Sequence, residues 1–182
     1  MKLFTDERGV HQKFFYKDSI PKKFEGIKEV FITQSHKGVI RGLHSQRQPF
    51  QQKIIQVVQG YVNVRIFIPK GIDVDQDFVY GNKAMHSPCG IVYYFDCHGQ
   101  QHKPLYVPAG AYIGYLALED NTTAIYLADS DFSSEGSLTI NPFDPTLNID
   151  WSIPAKWGMD KENLILSDGD KNGPMWGDIK ND

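Results

Sequence analysis

The stretch "YVNVRIFI" at residues 61–68 shows the pattern that decides the fold class. Four aliphatic side chains occupy every second position, and Asn63 and Arg65 lie between them. This period of two is typical of a β-strand that turns one face toward a core. Six further apolar segments are equally short and are bounded by turn-forming residues, so we predict strands there too. They are residues 28–33, 53–58, 91–96, 104–108, 112–118 and 123–129.

Helical periodicity is weak along the chain. Only residues 19–24 and 160–164 have the pattern of short helical turns. Many short strands without alternating helices predict a β-sandwich or barrel. A length of 182 residues predicts a single domain, residues 1–182. The segment after Trp151 has little strand character, and we expect it to wrap around the barrel.

Composition limits the class of protein. Hydrophobic residues make up 41% and charged residues 23%, as in soluble globular proteins, and the net charge of -3 argues against a nucleic-acid partner. No apolar run reaches about 18 residues, and the first residues lack a signal-peptide pattern, so we expect a cytoplasmic protein without a membrane partner. Cys89 and Cys97 could form one disulfide, but free thiols are the favoured interpretation.

Residues 38–60 have a spacing that resembles the first motif of the cupin superfamily, whose members are small jelly-roll barrels. Metal-binding cupins use three histidines and one glutamate as ligands. Here His44 keeps the first position, Gln46 and Lys53 take the second and the glutamate positions, and Ile113 takes the last. A lysine cation and an isoleucine do not suit a divalent metal, so we expect no metal and no other cofactor.

A histidine and a lysine in one pocket suit the removal of a proton next to a carbonyl. His44 would be the base, and Lys53 would offset the negative charge on the enolate oxygen. The alternative is a core histidine bonded to backbone, with a lysine whose ammonium group reaches solvent at the barrel mouth. These two residues alone leave both interpretations open.

Residues 41–62, "RGLHSQRQPFQQKIIQVVQGYV", closely resemble RGLHxQxxPxxQxKLVxxxxGxV of the dTDP-4-dehydrorhamnose 3,5-epimerase family. Residues 6–10, 133–136 and 166–174 resemble further markers of that family, in the family's order. The resemblance covers nearly the whole chain. It implies an all-β cupin jelly-roll barrel with short peripheral helices, a nucleotide-sugar substrate that is dTDP-linked, and a homodimer.

The resemblance also implies roles for single residues. His44 resembles the base that removes the proton beside the C4 ketone, Asp170 the carboxylate that orients it, and Lys53 the cation beside the enolate. A solvated loop aspartate is the alternative for Asp170. Arg is the residue suited to bidentate phosphate contacts, although ordinary surface charge is the alternative for each arginine. The predicted substrate-binding residues are Arg8, Arg41, Gln46, Arg47, Arg65 and Glu135.

Two segments depart from the family pattern. Ile113 stands where the family's second motif has a histidine, and Ser130 stands where a tyrosine delivers a proton to the opposite face of the sugar, with Phe132 in place of a proline. Epimerisation removes a proton from one face and returns one to the other, so a second group is needed. Tyr115, Tyr112 and Ser130 are the candidates, and each tyrosine could equally be a packing residue.

Three functions remain open from the sequence. The first is an epimerase of a nucleotide-diphosphate 4-keto-6-deoxyhexose, acting at C3, C5 or both through an enolate. The second is a keto-sugar isomerase, a tautomerase, which returns the proton to the same face and needs one base only. The third is a non-catalytic cupin that binds a nucleotide sugar.

Overall fold

The computed structural model describes residues 2–15, 20–24, 26–74, 83–99, 103–152 and 157–179. Across these ranges the chain forms twelve β-strands and one α-helix of a single turn, with short 3-10 turns that include Lys161–Asn163 and Trp176–Asp178. The helix, α1, spans Asp168–Lys171. The strands are β1 (Lys2–Asp6), β2 (Gly9–Lys13), β3 (Glu29–Ser35), β4 (Ile40–Gln46), β5 (Lys53–Gln59), β6 (Tyr61–Pro69), β7 (Lys83–Ser87), β8 (Gly90–His98), β9 (Leu105–Val107), β10 (Tyr112–Ala117), β11 (Thr122–Ala128) and β12 (Ser137–Thr139).

Two antiparallel sheets form the body of the molecule. The larger has six strands in the order β12-β4-β10-β6-β8-β7, and the smaller has four in the order β3-β11-β5-β9. Strands β1 and β2 pair as a separate hairpin. Neighbours within a sheet are often distant in sequence, and the two sheets pack face to face. The predicted all-β jelly-roll barrel is therefore confirmed.

The core lies between the two sheets. Val62, Val64 and Ile66 of β6 face it from the larger sheet, and Ile55 and Val57 of β5 face it from the smaller one. All five are fully buried. Burying one such side chain stabilises the fold by about 1.5–3 kcal/mol, so this layer is the main source of cohesion between the sheets.

The outer face of the larger sheet is buried as well. Trp151 and Trp176, from the segment that follows β12, pack there against the cluster that holds Phe67 and Tyr112. The expectation that the segment after Trp151 wraps around the barrel is confirmed. The strand β6 consequently has no solvent-facing side, although its polar residues suggested one.

Arg65 lies on this covered outer face, where it is only 5% exposed. Its guanidinium stacks between the rings of Tyr94 and Trp151, at 4.3 and 5.5 Å from their centroids. Its Nε donates to the Asp150 carbonyl and its Nη1 to the Val64 carbonyl. The structure therefore places Arg65, a predicted substrate ligand, where it holds the C-terminal segment to the sheet.

All seven predicted strands are present, but five strands were not predicted from their sequence patterns: β1, β2, β4, β7 and β12. The predicted helical turn at residues 160–164 is a 3-10 turn at Lys161–Asn163. Over the described part of the turn predicted at residues 19–24, residues 20–24, no helix forms, but the Phe24 N–H donates to the Pro21 carbonyl at 3.0 Å and closes a single turn. Cys89 and Cys97 are free thiols, as expected.

The described residues contain no helix that is both long and apolar enough to cross a membrane.

Replacing Trp151 by Ala tests the role of the C-terminal segment. The indole is 4% exposed and its Nε1 donates to the Pro142 carbonyl at 2.8 Å. We expect its removal to lower the free energy of unfolding by about 3–5 kcal/mol, because a cavity forms and Arg65 loses an aromatic neighbour. Urea unfolding measures this. The exposed Phe143→Ala is the control, and an equal effect of the two variants would contradict the prediction.

Candidate active site

His44 and Lys53 face the same space from opposite sheets. His44 on β4 pairs directly with Ile113 on β10, and Ile113 belongs to the core between the sheets. Directly paired residues share a face, so His44 points into that space. Lys53 begins β5 and alternates with the core residues Ile55 and Val57, so it points into the space from the other side.

Close backbone approach beside His44 requires a glycine. Gly42 has φ +93°, and a Cβ there would lie 2.4 Å from the Ile113 carbonyl oxygen. Its N–H donates to Oδ2 of Asp170 at 3.3 Å. The glycine of the "RGLH" motif thus lets β4 lie against β10 and also binds the carboxylate that holds the histidine.

Asp170 is the partner of His44. Nε2 of His44 lies 2.5 Å from Oδ1 of Asp170, and the carboxylate side chain is 6% exposed. Ser167 caps the short helix α1 by accepting from the Asp170 N–H, which fixes the carboxylate in place. The resemblance implied this pair, and the structure brings its members together across 126 positions of sequence.

The charge of Asp170 decides which nitrogen of His44 can accept a proton. Burial raises the pKa of Asp170, but the hydrogen bonds from His44, Gly42 and Ser167 together hold it below its ordinary value. An ionised carboxylate only accepts hydrogen bonds, so Nε2 carries the proton of the neutral ring. The lone pair is then on Nδ1, and the side chain is 44% exposed to the space between the sheets.

Lys53 is a partly buried cation in a row of three residues. Ala128 of β11 pairs with Lys53 on one side and with Glu29 of β3 on the other, so all three side chains share a face. Burial lowers the pKa of Lys53 to about 8, although the negative charges of Glu29 and Asp129 raise it. The small Ala128 leaves the two longer side chains to extend over it toward each other.

Residues 131–133 join the two sheets at this end of the barrel. The Phe132 N–H donates to Oε1 of Glu29 on the smaller sheet at 2.9 Å, and the Ser133 N–H donates to Oε1 of Gln46 on the larger sheet at 3.0 Å. Gln46 also donates to the Asp131 carbonyl, and it is 1% exposed. The amide of Gln46, a predicted substrate ligand, therefore positions this loop.

The candidate second acids occupy different places. The hydroxyl of Tyr115 faces the inner space but is held between Thr33 and Ser35, at 3.0 and 2.9 Å. Tyr112 lies on the other face of β10, packed edge-on against Trp176, so the structure does not place it with His44. The Ser130 hydroxyl is buried and has no hydrogen-bond partner among the described residues.

The remaining predicted substrate ligands are exposed or half-buried. Arg41 is exposed, and it donates through Nε to Ser35 at 3.0 Å. Arg47 is half-buried on the residue that follows β4, and Glu135 is exposed in the turn before β12. Arg8 lies in the turn between β1 and β2, where it pairs with Asp6 and is 84% exposed. No described contact joins Arg8 or Glu135 to His44.

Sequence reasoning missed Glu29. Its position was visible in the pattern, because Glu29 and Phe31 are two residues apart in a predicted strand and share a face. Phe31 stacks on Tyr126 at 4.7 Å, on the inner side of the smaller sheet. Among the described residues, no three His, Cys, Asp or Glu side chains come together in a group that could hold a metal.

Comparison with known proteins assigns the family. A family model described as dTDP-4-dehydrorhamnose 3,5-epimerase matches residues 1–178. The chain belongs to the dTDP-4-dehydrorhamnose 3,5-epimerase family. The chain is 30% identical over 155 residues to an epimerase of that name from Mycobacterium tuberculosis, covering 85% of this chain and 68% of the relative. A dTDP-4-dehydro-6-deoxyglucose 3-epimerase from a Streptomyces species is 30% identical over 176 residues, covering 94% and 80%.

Solved structures of the epimerase family have the same fold. The rmlC epimerase of Mycobacterium tuberculosis superposes with a TM-score of 0.77 at 26% identity, covering 97% of this chain and 82% of that one. The Bacillus anthracis dTDP-4-dehydrorhamnose 3,5-epimerase, with TDP and PPi bound, gives a TM-score of 0.72 at 26% identity, covering 96% and 90%. This epimerase-family chain is therefore a cupin jelly roll, as the resemblance implied.

The depressed pKa of Lys53 predicts a pH-dependent stability. The ordinary lysine pKa of 10.5 applies to the unfolded chain and a value of about 8 to the folded one. Below about 8 the folded protein holds a desolvated cation, so Lys53→Met should be more stable by on the order of 3 kcal/mol. Between the two pKa values the unfolded chain binds more protons, so wild-type stability rises with pH and this advantage should shrink.

Urea unfolding of both proteins at about pH 7 and about pH 10 measures the effect. The exposed Lys70→Met, measured in the same way, is the control for the replacement of a lysine by methionine at the surface. An advantage of Lys53→Met that stays constant over this range would contradict the assigned burial of the cation.

Proposed function

We propose that this protein is an epimerase that inverts a carbon next to the C4 ketone of a nucleotide-diphosphate 4-keto-6-deoxyhexose. The observation that carries the proposal is the pair of His44 and Asp170, which faces Lys53 across the space between the sheets. A neutral imidazole held by a carboxylate is a base, and a lysine opposite it offsets developing negative charge. Membership of the epimerase family supports the same chemistry.

The proposed first step is proton abstraction. Nδ1 of His44 takes the proton from the carbon beside the ketone, and the electrons of that bond form an enolate. Asp170, with its lowered pKa, stays ionised and stabilises the imidazolium that results. The ammonium of Lys53 stabilises the negative charge on the enolate oxygen, which is worth several kcal/mol in a partly buried site.

The nucleotide, assembly and location are also part of the proposal. A dTDP-linked sugar is supported by the names of the relatives and by the TDP in the Bacillus anthracis structure. Arg41 and Arg47, which flank the histidine in sequence, are the proposed diphosphate ligands, and an exposed Arg8 would serve a second subunit of a homodimer. We further propose that the chain is one domain and works in the cytoplasm.

A tautomerase is the second candidate, because the position expected to hold the opposite-face tyrosine is Ser130. One base suffices for that reaction. Proton exchange separates the two functions and also the binding-only alternative. With dTDP-4-dehydro-6-deoxyglucose in D₂O followed by NMR, an epimerase exchanges and inverts C3, C5 or both. A tautomerase moves the ketone without inverting a carbon, and exchange at neither carbon would refute catalysis on this substrate.

His44→Ala should lower the rate of epimerisation by at least ~10²–10⁴-fold, because the proposed base is removed. Asp170→Asn should lower it less, since the imidazole remains but loses its ionised partner. NMR of the sugar protons measures both rates. The exposed His36→Ala is the matched control and should match wild type. An active His44→Ala protein would place the base elsewhere.

The rate should also depend on the protonation of Lys53. Because its pKa is about 8, kcat/KM should fall by about tenfold for each pH unit above that value, as the cation is lost. Lys53→Arg keeps its charge at high pH, so whatever activity it retains should lack this alkaline decline. A pH profile of the two proteins is the measurement. An identical decline in both would show that another group titrates.

A further inference from the structure

Epimerisation needs two proton-transfer groups on opposite faces of a ring, and two facing sheets can supply one each. His44 comes from the larger sheet. On the smaller sheet, Glu29 lies in the row that also holds Ala128 and Lys53, and its side chain is half-buried. Glu29 therefore faces the histidine's side of the barrel from the opposite wall.

The loop at residues 131–133 places this carboxyl near the end of β4 that carries His44. Glu29 accepts from the Phe132 N–H, and Gln46 accepts from the next N–H along the chain, that of Ser133. Consecutive backbone nitrogens lie within about 4 Å of each other, so these two acceptor oxygens lie within roughly 10 Å of each other. Gln46 is two residues from His44 on the same face of β4, roughly 7 Å along the strand.

The other candidates for the second group fit less well. Tyr112 lies on the outer face of its strand. The Tyr115 hydroxyl is engaged by Thr33 and Ser35, which fixes it in the wall of the barrel. Ser130 is an aliphatic alcohol and a poor acid. Glu29 is a carboxyl group whose Oε1 is bound by the Phe132 N–H, which leaves Oε2 for a proton.

We infer that Glu29 is the second proton-transfer residue, across the sugar ring from His44. The inference rests on the proposed epimerase function. His44 Nδ1 takes the proton as the C–H bond breaks and the enolate forms. Glu29 acts here in its protonated form: its O–H bond breaks, the proton forms a C–H bond on the opposite face, the ketone returns, and the carboxylate whose charge acts on Lys53 is left. The imidazolium and the carboxylate that remain reset by exchange with water. In the reverse direction the two residues exchange roles.

The two-sided arrangement predicts asymmetric isotope exchange. In D₂O, Glu29→Gln should exchange the proton of the substrate epimer at within about threefold of the wild-type rate, because His44 still serves that face. The rate at which this variant inverts the carbon should fall by at least ~10²-fold. The rate at which it exchanges the proton of the inverted epimer, recovered from a wild-type reaction, should fall by at least as much. His44→Ala should instead keep exchange of the inverted epimer and lose both exchange of the substrate epimer and inversion. Gln keeps an oxygen acceptor for the Phe132 N–H, so the loop is preserved.

The exposed Glu162→Gln is the matched control and should exchange and invert as wild type does. Wild-type inversion by Glu29→Gln would overturn the inference and leave the epimerase function standing. Loss of exchange at both faces in a folded Glu29→Gln protein would also overturn it, since Glu29 would then act on the first step through Lys53. No exchange by the wild-type protein on either epimer would overturn the epimerase function itself, and this inference with it.

Discussion

The hydrogen bond between His44 and Asp170 is the interaction on which the rest of the site depends. It joins β4 to a single turn of helix in the C-terminal segment. The carboxylate is itself held by the Ser167 cap and the Gly42 N–H, so it acts as a fixed acceptor. Fixing one ring nitrogen orients the other toward the space between the sheets. Without this bond the half-exposed imidazole would be free to rotate among several rotamers.

The sequence predicted the strands better than it predicted what covers them. Alternation along residues 61–68 correctly identified the face that packs between the sheets. It could not show that Asn63 and Arg65 are buried too, because the rings that cover Arg65 come from Tyr94 and Trp151, far along the chain. A polar side of a strand is solvated only if no later segment returns to it, and that is a long-range property.

The sequence also predicted only those site residues that a local pattern or a family resemblance marks. A local motif brought out His44 and Lys53, and resemblance to the family brought out Asp170. That Tyr112 and Tyr115 lie on opposite faces follows from their odd separation and was readable from the sequence. Glu29 was not readable in the same way, since its significance depends on registers across three strands and on a loop that bridges two sheets.

The position of Asp170 in the chain separates folding from activity during synthesis. Both sheets are complete once β12 has been made, about thirty residues before the carboxylate is added. A nascent chain can therefore pack its core while its histidine has no partner, since domains fold from the N-terminal side as they emerge. Nucleotide sugar that meets such a chain encounters a barrel without an oriented base. The last segment supplies the carboxylate that orients the histidine, and it is synthesised after the two sheets against which it packs.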